Sequence, residues 1–310
     1  MKIGIDVGGT NIAGGLVRND GTLVFKTSVP TVTKNGEDGL LRDICALCET
    51  CRREAGSHTV SGIGIGVPGH ADDTMGIVVR CANIPFKNTA LSRYVTEKTG
   101  LSCHIGNDAD AAALAEVRFG SAREFENAVM LTLGTGIGGG IIINNRIFRG
   151  CNGAAGELGH MTIYADGEKC SCGRRGCFEL YASATALKRE TLKALDAHPE
   201  SKLRQVAKTR ERVNAKTAFD AAAAGDAVAI QLIRQYTEHL ACGILNIINI
   251  LCPDAIILGG GVARQGESLL APLREIVRDK VYSTYGTQTK LLAATLGNDA
   301  GIIGAAFFGE

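Results

Sequence analysis

Strands alternating with helices predict an α/β fold, and three observations carry that prediction. Short apolar runs that end in glycine recur at residues 3–7, 63–67, 129–133 and 256–258. Helical spacing of apolar residues fills 39–55, 89–99 and 109–118, then 217–251, which is broken at Gly225 and ended by Pro253. A strand, a glycine turn and a β-hairpin occur twice, at 3–28 and 129–149, with Asn19-Asp20-Gly21 and Asn144-Asn145 as the hairpin turns. The repetition predicts two similar halves with a cleft between them: an N-terminal α/β domain over 1–118 and a C-terminal one over 119–296. The final stretch, 297–310, reads as a helix that packs back on the first half.

Composition sets the class. A chain of 310 residues, 45% hydrophobic and 21% charged, is long enough for two ordinary domains with sizeable cores. A formal net charge of +1 gives no electrostatic basis for nucleic acid or an anionic membrane as the main partner. The start, Met1 to Asp6, runs straight into a strand with no apolar leader, and Leu240–Cys252 is too short to span a bilayer. A cytoplasmic location is therefore expected. In that compartment eleven cysteines signify thiols or a metal site rather than disulfides.

The glycine turns point to phosphates. Asp6-Val7-Gly8-Gly9-Thr10-Asn11 follows a buried strand, so Gly8 and Gly9 let backbone N–H groups approach an anion while Thr10 and Asn11 add side-chain donors. Asp6, at the strand end, suits Mg²⁺, directly or through water. The plainer reading is a tight hairpin turn. The second turn, Gly134-Thr135-Gly136-Ile137-Gly138-Gly139-Gly140, contains G-x-G-x-x-G. A dinucleotide fingerprint would open a helix, whereas Ile141–Phe148 reads as strand, turn and strand. No P-loop lysine follows either turn, so a nucleotide would be held by backbone N–H groups and by Thr135. A third turn, Gly259-Gly260-Gly261, offers room for an adenosine near Gly260, or simply ends a strand.

A carboxylate stands where a helix begins. Gly106-Asn107-Asp108 joins a short strand to the alanine-rich helix, and Asp108 is the candidate general base for taking a hydroxyl proton as a phosphoryl group arrives. Its plainer reading is a helix N-cap. Asp110 points elsewhere on the helix.

The strongest local signal runs from His160 to Cys177. One histidine and three cysteines, His160, Cys170, Cys172 and Cys177, match a closed tetrahedral Cys₃His zinc site, structural rather than catalytic because no coordination position is open. Cys45, Cys48 and Cys51 share a helix at a spacing that lines a buried face, and Cys81, Cys103, Cys151, Cys242 and Cys252 read as core or near-core residues. Glu157 and Glu179 flank the metal ligands. With Asn83, Asn107 and Asp108 they are candidate partners for the paired hydroxyls of a polyol, although a lone Glu is more simply a solvated residue.

Together these pieces resemble the ROK family of sugar kinases and repressors, closest to its bacterial glucokinases, within the actin-like ATPase superfamily. Asp6–Thr10 resembles the family's D-x-G-G-T, Gly134–Gly140 its second phosphate motif, Glu157–His160 its E-x-G-H, and Cys170–Glu179 its C-x-C-G-x-x-G-C-x-E. The resemblance covers essentially the whole chain. It implies two ribonuclease-H-like domains closing over ATP and sugar, with Mg²⁺ and a structural Zn²⁺ as cofactors. It implies Asp108 as catalytic base. It also implies sugar contacts from Asn83, Asn107, Glu157, His160 and Glu179, with His160 also on zinc, and a homodimer or homotetramer. Substrates other than glucose in the family include N-acetylmannosamine, fructose, mannose and allose. The repressors of the family carry an N-terminal helix-turn-helix; here the chain starts at the first phosphate strand, so the expectation is a kinase rather than a sugar-responsive regulator.

Overall fold

The computed structural model describes residues 1–81, 83–282, 286 and 288–310. Strands of the first part are β1 (Lys2–Val7), β2 (Asn11–Val17), β3 (Leu23–Pro30), β4 (Ile63–Val67), β5 (His70–Asp72), β6 (Ile77–Arg80), β7 (Lys87–Thr89) and β8 (Cys103–Asn107). Later come β9 (Ala128–Leu133), β10 (Ile137–Ile143), β11 (Arg146–Ile147), β12 (Ala255–Gly259) and β13 (Lys290–Ala293). The helices are α1 (Gly36–Glu54), α2 (Leu91–Thr99), α3 (Asp108–Phe119), α4 (Glu179–Ala182), α5 (Ala184–Ala197) and α6 (Leu203–Ala207). They continue with α7 (Ala215–Ala223), α8 (Ala227–Leu251), α9 (Gly260–Ala263), α10 (Glu267–Lys280) and α11 (Ala300–Ala305).

One sheet has the order β3-β2-β1-β4-β8, another β11-β10-β9-β12-β13, and β5, β6 and β7 form a small third sheet. The repeated plan is visible in the first two: an antiparallel hairpin (β2 with β3, β10 with β11) at one edge, and parallel pairs (β1 with β4, β12 with β13) beyond. Both residues of the second hairpin turn are left-handed, Asn144 at φ 52 and Asn145 at φ 61, as a type I′ turn requires.

The chain divides into two compact units. One comprises Met1–Met130, Gly140–Gly156 and Thr295–Glu310; the other comprises Leu131–Gly139 and Glu157–Ala294. The first unit extends past residue 118 to Met130 and takes in Gly140–Gly156 as well as the C-terminal stretch. Gly140 shows why: a Cβ there would stand 2.6 Å from Ala113 Cβ in α3.

In the first unit the two faces of the sheet are chemically unequal. Ile3, Ile5, Ile63, Ile65 and Ile105 point to the face covered by α1, whose Leu40, Ile44, Leu47, Cys48 and Cys51 recur at helical spacing. The alternate positions on that sheet, Gly4 and Gly64, face α11 instead. A Cβ at Gly4 would meet the Ile302 carbonyl oxygen at 1.9 Å, and one at Gly64 the Ala305 carbonyl oxygen at 1.7 Å. Helix backbone thus lies directly on sheet backbone. α11 is held there from its other side by α3, where Gly304 approaches the Ala111 carbonyl. The segment leading into α11 is fixed by Glu116, a fully buried carboxylate that accepts from the Thr295 and Leu296 amides at 2.8 and 2.7 Å.

Cysteines divide as well. Cys48, Cys51, Cys81 and Cys103 are buried, and burial raises each thiol pKa, to about 11 for Cys51 and about 12 for Cys81 and Cys103. Cys151, Cys242 and Cys252 are exposed, which corrects their reading as core residues. Cys252 ends α8 in the left-handed conformation at φ 42, a helix terminus rather than a packed position. No helix among the described residues is long and apolar enough to cross a membrane.

Candidate active site

The first phosphate turn leaves β1 at its C-terminal end. Gly8 N–H donates to the Asn11 carbonyl at 2.9 Å, and Thr31 Oγ1 donates to the Gly8 carbonyl at 2.7 Å. The Gly8 amide is therefore engaged by the turn, and the exposed part is Gly9-Thr10-Asn11. Thr31, which has no motif around it, was not legible as a support for this turn. Asp6 lies on the α11 face, paired in register with Gly66 of β4, and Gly66 in turn with Gly106 of β8. Its carboxyl pKa is raised, first by burial, with Lys26 opposing. Gly301 of α11 makes the room, since a Cβ there would stand 2.7 Å from Asp6 Oδ2.

At the end of β8 the capping role belongs to Asn107. Its Oδ1 accepts from the Ala109 and Asp110 amides at 2.8 and 3.3 Å, and its Nδ2 donates to the Gly69 carbonyl at 3.0 Å. Asp108 is then the first helical residue rather than the cap. Its charge contributes to the raised pKa of the Cys81 thiol, so the segment that carries Asn83 runs close to it. Asn83 is exposed. Asn107's carboxamide oxygen is already used by the cap.

The second unit holds the other turn and the cysteine knuckle. Gly134 N–H donates to the Gly136 carbonyl at 3.1 Å, and the Ala184 amide at the start of α5 donates to the Gly134 carbonyl at 2.9 Å. Thr135 is exposed. Gly260, at φ 82, has its Cβ direction filled by Leu133, which explains the third glycine turn by close approach. The E-x-G-H segment forms a 3₁₀ turn, Leu158–His160, seated on β10: a Cβ at Gly159 would stand 2.2 Å from the Ile137 carbonyl oxygen.

In the knuckle, isolated bridges pair Thr162 with Cys177 and Lys169 with Arg175. Gly176, at φ 67 and packed on the Tyr164 carbonyl, is a position only glycine fills. Ligand atoms of His160, Cys170, Cys172 and Cys177 all lie within 4.8 Å of one another. Cys172 and Cys177 sulfurs are 3.6 Å apart and Cys170 Sγ is 3.7 Å from His160 Nδ1. A tetrahedral zinc with bonds of about 2.0–2.3 Å spaces its ligand atoms by roughly 3.3–3.8 Å, which these two spacings match, so the cluster could hold that ion. A disulfide would need about 2.05 Å. Buried Cys177 has its thiol pushed up to about 12, whereas exposed Cys172 is lowered by the Arg174 amide.

Glu179 opens α4 beside this cage. Its Oε1 accepts from Cys170 Sγ at 3.3 Å and lies 3.6 Å from His160 Nδ1. Glu157 stands 4.0 Å from His160 Nε2. The two carboxylates differ in setting: the Glu157 side chain is 56% exposed and that of Glu179 20%. A separate cavity of about 660 Å³, lined by Tyr164, Tyr181, Arg189 and His239 among others, contains none of these residues.

Residues 2–309 match the ROK family. The chain belongs to that family. Among curated relatives, the glucokinase of Thermotoga maritima is 37% identical over 305 residues, covering 98% of this chain and 95% of that one. A ROK family glucokinase from Streptomyces griseus, solved in complex with glucose and AMPPNP, superposes with a TM-score of 0.84 at 36% identity and covers 98% of this chain and 97% of that one. ROK repressors match too: the xylose repressor of Bacillus spizizenii is 34% identical over 309 residues, 98% of this chain but 75% of the repressor. Membership brings the actin-like ATPase fold to the chain, and the glucokinase relatives, matched over nearly the whole of both chains, give it a sugar-phosphorylating enzyme class.

Proposed function

We propose that the protein is an ATP-dependent glucokinase in which Asp108 is the general base. The observation that carries this reading is Asp108 itself: a carboxylate at the first position of α3, with the capping role already filled by Asn107. In the reaction the sugar 6-hydroxyl oxygen attacks the γ-phosphorus, the bond to the β–γ bridging oxygen breaks, ADP leaves, and the hydroxyl proton passes to the Asp108 carboxylate. The exposed tip Gly9-Thr10-Asn11 and the turn around Gly134, Thr135 and Gly138 supply donors to the phosphates. Asp6 would hold Mg²⁺, directly or through water; its raised pKa marks a carboxylate that a nearby cation would return to the charged form. Bound Mg²⁺ neutralises phosphate charge. Glu157, His160 and Glu179 receive sugar hydroxyls, joined by Asn83 and by the remaining amide hydrogen of Asn107. The knuckle would hold one structural Zn²⁺, which fixes His160 and the position of Glu179 without taking part in transfer.

A coupled ADP-release assay over glucose, mannose, fructose, allose and N-acetylmannosamine tests the substrate, with glucose expected to show the highest kcat/KM. The repressor relatives support a second reading, a sugar-responsive regulator. Measurable glucose binding with no ADP release under saturating ATP and glucose would favour it.

A further inference from the structure

We infer that Gly136 is a positioning residue for the sugar rather than a phosphate glycine: it keeps open the space into which the Glu179 carboxylate packs. The inference rests on the reading of Glu179 as a partner of sugar hydroxyls. A Cβ built on Gly136 would stand 2.4 Å from Glu179 Oε2, closer than the 3.0 Å below which real Cβ atoms essentially never come. Gly134, two residues earlier in the same G-x-G, has nothing within 4 Å of its Cβ position. Conformational freedom does not explain Gly136, which is absent from the positive-φ glycines of the chain. What remains is close approach, and the approaching atom is a functional one.

The carboxylate is set on two sides. Oε1 meets Cys170 Sγ and His160 Nδ1 at 3.3 and 3.6 Å, and Oε2 fills the hollow at Gly136. A methyl group at residue 136 would push away the end of a flexible side chain, not backbone. The fold then tolerates the change cheaply while Glu179 loses its position. The signature is therefore a variant that folds normally and binds sugar poorly.

The test is calorimetric binding of glucose without nucleotide, and of ADP without sugar, to the full chain and to Gly134→Ala, Gly136→Ala and Glu179→Gln. Gly136→Ala should weaken glucose by about tenfold or more, ~1.4 kcal/mol, with ADP affinity within about twofold and the melting temperature unchanged. Gly134→Ala, whose methyl group would meet nothing within 4 Å, should leave glucose affinity within about twofold of wild type, and a tenfold loss there too would count against a role specific to Gly136. In Gly136→Ala/Glu179→Asp the shorter acid clears the methyl group, so the double variant should bind glucose no worse than Glu179→Asp alone. Glucose affinity within about twofold of wild type in Gly136→Ala, an equal loss of both ligands, or strictly additive losses in the double variant would each overturn the inference. Unchanged glucose affinity in Glu179→Gln would instead overturn the reading of Glu179 on which it rests, and the two failures are told apart by which variant reports them.

Discussion

The two hairpin halves solve one packing problem in opposite ways. In the first, the acid is on the strand and the glycine on the helix: Asp6 of β1 occupies the side-chain space of Gly301 in α11. In the second, the glycine is in the turn and the acid on the helix: Glu179 of α4 occupies the space of Gly136. Asp6 is partly buried and its pKa raised, the carboxylate proposed above to meet a cation. Glu179 keeps one oxygen on a thiol and imidazole cage. On the roles proposed above, a repeated scaffold would present one carboxylate toward charge neutralisation and another toward recognition, because the element that packs on each turn differs.

The contrast can be broken at four places. Asp108→Asn, in the first unit, should lower kcat by about 10²–10⁴-fold, the range expected for loss of a general base, and leave glucose affinity nearly unchanged. Steady-state kinetics with calorimetric glucose binding checks this, and near-normal turnover would remove Asp108 from the chemistry. Cys177→Ser, in the second unit, should act on recognition: zinc falls from one per chain to near none by elemental analysis, and the glucose KM rises by about 10–100-fold. A metal-free preparation with full activity would refute the cage.

Gly64→Ala tests the α11 face of the first sheet. Its methyl group would collide with the Ala305 carbonyl, which is backbone, so a loss of about 1–3 kcal/mol or more in urea unfolding is expected, in contrast to the near-silent Gly136→Ala. The smallest effect on stability belongs to Asp6→Asn. Because the folded-state pKa of Asp6 is raised above the ordinary value of 3.8, the folded chain holds that proton more tightly than the unfolded chain. Its contribution to stability is present at low pH and is lost as pH rises through the raised pKa. The asparagine variant should therefore melt slightly higher than wild type near neutral pH, with the gain fading on acidification through the carboxylate range, even as Mg·ATP turnover falls.

Much of this molecule was legible from local pattern. The strand–turn–hairpin repeat, α1, α2 and α3 within one to three residues at each end, and the long helix broken at Gly225 all follow from residue spacing. So did the clustering of His160, Cys170, Cys172 and Cys177, groups that could hold a metal ion, because they lie within one short loop and their chemistry is unusual. The hydrogen bonds give the capping role to Asn107 rather than Asp108, a choice that local pattern leaves open because either side chain satisfies it. The reasons behind the glycines were not legible at all. Gly4 and Gly64 serve a helix more than two hundred residues away in sequence, Gly159 serves a strand, and Gly136 serves a carboxylate. A glycine codeword states that a side chain is missing, whereas only the tertiary structure states what fills the space. Sequence thus determined which candidate groups for phosphate, proton and metal the protein has; packing decided which glycine faces open space and which one makes room for a carboxylate.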